Sequence, residues 1–120
     1  MEVRRLGWLG MRTERFDEMV RLFRDVMKLP VGIEQPGRAM FELPNGDPID
    51  VFHTSLEQYE WFPEAPVVGF VVDDVEAGAR ELEAAGIEVK PVQHGDGFMW
   101  AHFRGPDGNL YELQSTDPPS

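Results

Sequence analysis

The sequence predicts an α+β domain made of two tandem βαβββ modules, and three observations carry that prediction. Residues 41–52, "FELPNGDPIDVF", lie without a gap against residues 103–114, "FRGPDGNLYELQ", with Pro44 on Pro106, Gly46 on Gly108 and Asp50 on Glu112. Upstream, "LGWLGMRT" (Leu6 to Thr13) answers "PVVGFVVD" (Pro66 to Asp73), each a short β-type run with a central glycine, Gly10 and Gly69. A helical pattern follows each run.

In the first module the helix takes Phe16, Met19, Val20, Phe23, Val26 and Met27 as its core stripe. It starts after Thr13 and stops near Lys28-Leu29-Pro30, because proline cannot continue it. In the second module Val75, Ala79, Leu82 and Ala85 form the stripe, Asp73 or Asp74 the cap, and Gly86 a left-handed stop. Asp73, Asp74 and Glu76 read as a helix start favoured by the macrodipole. Three strands complete each half, the last two joined by the Asn-Gly or Asp-Gly turn. The modules are therefore expected over residues 5–53 and 66–114, with a link at 54–65 and a tail at 115–120. Tyr59, Trp61 and Phe62 make the link an ordered segment, packed against its surroundings.

One domain accounts for 120 residues of which 42% are hydrophobic. The apolar run Leu6 to Met11 is too short for a secretory signal and Arg12 follows it, so a cytoplasmic protein is expected. With no cysteine, disulfides, thiolate catalysis and Cys-based zinc sites are excluded, while His and carboxylate chemistry stays open. A formal charge of −11 repels phosphate backbones and anionic bilayers, so neither nucleic acid nor membrane is an expected partner. The same surplus favours a cationic small molecule, or serves solubility.

The motifs "FRGPDGNLYEL", "MVRLFRDVMKL" and "VVDDVEAGARELEAAGIEV", set in a duplicated βαβββ pattern, resemble the vicinal oxygen chelate superfamily. Its members include glyoxalase I, extradiol dioxygenases, fosfomycin-resistance enzymes and bleomycin-resistance proteins. The resemblance spans roughly Arg5 to Gln114. It implies a curved, cup-like mixed sheet with helices outside and the ligand inside, and a homodimer. It also implies a divalent metal held by the first and last strands of each module. The last strands offer Asp50 and Glu112, both oxygen donors. The first strands offer Trp8 and Val67, which cannot ligate, since indole carries only a donor and valine nothing. The expectation is therefore no cofactor; were a metal present, Asp50, His102 and Glu112 would be its ligands.

Strand alternation puts Trp8 and Arg12 on one face of the first strand, and Trp100, His102 and Arg104 on the face opposite Phe103. Trp8, Phe52 and Trp100 offer plates for a planar or cationic ligand, or fill the core. Asp50 and Glu112 either pair with Arg12, Arg104 or backbone donors, or await a cationic ligand, or act with His102 in acid–base catalysis. His53 is expected at a strand end near solvent and His94 in an exposed loop. Gly10 and Gly69 leave room above the sheet. The two functions in view are a metal-free binder of a cationic or aromatic small molecule, and a lyase, isomerase or dioxygenase-type enzyme using Asp50 and Glu112.

Overall fold

A computed structural model describes residues 1–60, 62 and 66–120; Trp61, named above in the link, lies outside them. The described chain runs β1 (Arg5–Thr13), α1 (Phe16–Arg21), β2 (Val31–Gln35), β3 (Arg38–Glu42), β4 (Pro48–His53), β5 (Val67–Val71), α2 (Val75–Ala84), β6 (Gln93–Gly95), β7 (Phe98–Arg104) and β8 (Leu110–Thr116). This is the predicted βαβββ order, twice. The chain divides into two compact units, Trp8–Val67, and Met1–Gly7 together with Val68–Ser120. The N-terminal residues join the second unit through the Arg4 amide, which donates to the Val71 carbonyl at 2.8 Å, and the Arg4 guanidinium on Asp73.

In the first unit the strands lie in the order β2-β3-β4-β1, with β4 antiparallel to β3 and parallel to β1. Phe16, Val20 and Phe23 from the helical segment pack with Ala39, Phe41, Ile49 and Val51 from the sheet. Alternation then commits Arg38, Met40, Asp50 and Phe52 to the opposite face. The helix departs from its predicted stripe after Arg21. There it widens into a π-helical turn over Leu22–Val26, closed by the Met27 amide on the Leu22 carbonyl. The extra residue rotates everything after it by about 100°. Val26 and Met27, expected in the core, are consequently 71% and 52% exposed. Thr13 is not the helix cap either: its hydroxyl accepts from the Arg15 amide one turn early.

In the second unit the order is β5-β8-β7-β6, with β8 parallel to β5 and antiparallel to β7. Asp74 caps α2 by accepting from the Ala77 amide at 3.2 Å, and Gly86 follows at φ +84°, both as predicted. Val75 packs with Val72, Met99, Ala101 and Leu113. Trp100, His102 and Glu112 therefore occupy the helix-free face. No helix among the described residues is long and apolar enough to cross a membrane.

Candidate functional site

Each module places its carboxylate beside a glycine of its first strand. Asp50 is the register partner of Gly10 on β1, and Glu112 that of Gly69 on β5. The two acids are 6% and 7% exposed, so each needs partners. The partners differ between the modules.

In the first, the Trp8 indole folds back over Gly10, where a Cβ would overlap the ring. The room expected above Gly10 is thus filled by Trp8 itself. This pose brings Nε1 to Asp50, donating to Oδ2 at 2.7 Å. The other oxygen, Oδ1, accepts from Arg38 Nε at 3.3 Å and Nη2 at 3.2 Å. Arg38 also lies over the Phe52 ring, with its Cζ 5.8 Å from the centroid. Phe52 is covered in turn by Tyr59 at 4.0 Å and Phe62 at 5.7 Å, and Trp8 stacks on Phe62 at 6.0 Å. The described part of the link is accordingly ordered, as its aromatic content predicts. Trp8 and Phe52 fill this module's interior instead of standing bare as plates.

In the second module His102 pairs across the strands with Glu112, and its Nε2 lies 3.2 Å from Glu112 Oε1. Both side chains are buried. Trp100 sits two residues away along β7, opposite Gln114, its ring against Gly95 of β6.

The counter-ions predicted for the carboxylates are wrong. Arg12 donates through Nη2 to the Thr54 carbonyl at 2.9 Å, and Arg104 through Nη1 to the Gly108 carbonyl at 3.0 Å. Arg12 shares a face with Asp50 but is drawn to the chain end beyond β4, while Arg104 lies at the rim of the β7–β8 turn. Arg38, which alternation along β1 and β7 could not nominate, serves Asp50 from the neighbouring strand β3. His53 ends β4 and meets the Ser55 hydroxyl at 2.6 Å. His94 lies in the short strand β6, exposed as expected, with Asp117 at 2.8 Å. Neither unit gathers three His, Asp or Glu side chains among its described residues; Asp50 belongs to the first unit, His102 and Glu112 to the second.

A family model, described as Glyoxalase/Bleomycin resistance protein/Dioxygenase superfamily, matches residues 5–113. The chain belongs to that superfamily. Among solved structures, a variant of Streptomyces coelicolor methylmalonyl-CoA epimerase in complex with 2-nitronate-propionyl-CoA is 15% identical, with a TM-score of 0.69 and 99% of each chain covered. A superfamily member from Vibrio splendidus is 15% identical with a TM-score of 0.67, covering 92% of this chain and 97% of that one. A hypothetical protein from Bacillus halodurans gives 17%, 0.68 and 92% of both. At such identities the likeness is one of fold. No curated protein matches the sequence. Within the superfamily, the metal-bearing strand positions correspond here to Trp8, Asp50, Val67 and Glu112, and Asp50 has both oxygens engaged by donors of its own module.

Proposed function

We propose that this superfamily member is a metal-independent small-molecule-binding protein, using the helix-free sheet faces that carry Asp50 and Glu112. The observation that carries the reading is the pair of donors on Asp50. A divalent ion needs lone pairs, and Oδ2 is held by an indole N–H while Oδ1 is held by a guanidinium. Two like charges a few ångströms apart in a poorly hydrated site repel by several kcal/mol, on the order of 4 kcal/mol at 4 Å. A cation entering beside Asp50 would have to displace Arg38. Trp8 and Val67 add no ligand. The donor set does not suit the metal that the superfamily's enzymes use.

The ligand's polar contact in the second module is the His102–Glu112 pair, with Trp100 as a flat apolar neighbour. A homodimer in the cytoplasm belongs to the same reading, supported by the exposed outer strands β2 and β6. Elemental analysis together with melting curves in nickel, zinc, manganese and iron(II) tests it. The expected result is no stoichiometric metal and no ion-specific rise in Tm; a stoichiometric ion lost on Glu112→Gln would overturn it.

A second reading draws on the same pair: an imidazole against a buried carboxylate is a competent acid–base unit, fit for lyase or isomerase chemistry. It predicts a ligand recovered chemically changed, with turnover lost in Glu112→Gln. The binding reading predicts the ligand recovered intact.

A further inference from the structure

Phe52 has an arginine on each side. The register of β4 places Arg12 of β1 and Arg38 of β3 directly across from it, so the three side chains form a row on the helix-free face of the first module. Two strand spacings put the arginine backbones about 10 Å apart, within reach of one small ligand between the guanidiniums. Against these two cations the same face carries the single carboxylate Asp50. In a chain of formal charge −11, this face holds a local positive excess.

Neither guanidinium is fully engaged. Arg38 gives Nε and Nη2 to Asp50, and among the described residues Nη1 makes no hydrogen bond. Arg12 gives Nη2 to Thr54, and its buried Nε has no acceptor among the described residues. Asp50 and the Phe52 ring fix Arg38 from below and behind, leaving its outer edge, half hydrated at 32% exposure, as a pre-oriented donor. An arginine held this way is suited to planar oxygen acceptors.

We propose that the ligand bound by this protein carries a carboxylate on a small aromatic or apolar body, and that Arg38 and Arg12 read that carboxylate. The inference rests on the binding reading above and narrows its ligand class, setting an anionic group where the overall charge alone favours a cation. Long-range repulsion from the acidic surface is screened within about 8 Å at physiological salt, whereas the two guanidiniums act at contact. Arg38 is thereby a specificity-determining residue and Asp50 the positioning residue behind it.

Three probes of one shape and different charge test this: benzoate, benzyl alcohol and benzylamine, titrated by calorimetry and tryptophan fluorescence. Benzoate is expected to bind at least tenfold more tightly than either of the others. The double variant Arg38→Met/Asp50→Asn removes the ion pair without stranding a buried charge, and is expected to lower benzoate affinity at least tenfold while benzyl alcohol is unchanged. Arg12→Met is expected to act in the same direction, and Arg38→Lys to restore only part of the preference. Circular dichroism checks that each variant is folded. Benzylamine binding as well as benzoate, or benzoate binding indifferent to both arginine variants, overturns the inference and leaves the binding reading standing. Silence toward all three probes overturns both.

Discussion

The indole N–H of Trp8 and the carboxylate of Asp50 meet at 2.7 Å across the first module, from strands that run parallel. A buried acceptor that loses its donor keeps the whole desolvation cost, about 1–3 kcal/mol. Trp8→Phe retains most of the ring and removes the donor, so it is expected to lower stability by about that amount. Urea unfolding measures it. An unchanged midpoint would mean that Arg38 alone satisfies Asp50.

Gly10 is the condition for that bond. Since a Cβ at this position would occupy the space of the Trp8 ring, Gly10→Ala must swing the indole away and release Oδ2 of Asp50. Overpacking of this kind costs about 1–3 kcal/mol. The variant is expected to melt earlier and to show a red-shifted tryptophan emission, and Trp8→Phe in the Gly10→Ala background should add little, because both changes break the same contact. Full additivity of the two would separate them.

What the chain discloses about itself follows from how local each signal is. The cap Asp74 and the stop Gly86 act on residues within one helical turn, and both are readable without a structure. The equivalence of Asp50 and Glu112 is readable because the duplication repeats a whole turn and strand. Even the glycines that face the two carboxylates stand out as a matched pair, although their register partners do not. The π-helical turn at Leu22–Val26 leaves no mark, because the side chains it redirects, Val26 and Met27, have the spacing of an unbroken helix. Arg38 is missed for a related reason. Its meeting with Asp50 depends on how β3 slides along β4, and strand register is set by the packed faces of the whole sheet. Alternation within one strand nominates a face and says nothing of which neighbour's guanidinium arrives there, so Arg12 and Arg104 look equally eligible and neither pairs with a carboxylate.

Gly86 ends α2 at φ +84° with nothing within 4 Å of where a Cβ would stand. Substitution there is purely a backbone matter. An L side chain in the left-handed region costs about 1–2 kcal/mol, offset by about 0.4–1 kcal/mol from a less flexible unfolded chain. Gly86→Ala is accordingly expected to destabilise by about 1 kcal/mol, and Gly86→Asn by less, since asparagine tolerates this conformation. Equal losses for both, measured by denaturant midpoint, would point to a steric cause.

The Tyr111 hydroxyl donates to Asp107 at 2.6 Å, and the Asn109 amide joins it at 3.0 Å, closing the turn before β8. The Tyr111 hydrogen bond, then the Asn109 amide, hold the Asp107 carboxyl below the ordinary carboxylate range, while the same Asp107 pushes the Tyr111 phenol above its usual value. The two shifts act at opposite ends of the pH scale. A lowered acid favours the folded state above its unfolded pKa, about 3.9, and that contribution fades as pH falls through the folded value. A raised phenol favours the folded state below its unfolded pKa, about 10, and that contribution fades as pH rises through the folded value. Both groups are exposed, so each effect is small and screened. Tyr111→Phe is expected to return Asp107 toward its ordinary range and to remove the alkaline limb together with part of the acid one. Carbon-13 titration of the Asp107 carboxyl reads the first change, and absorbance of the phenolate in the parent, set against the variant that retains only Tyr59, reads the second. An Asp107 titration identical in parent and variant would assign its shift to Asn109 alone.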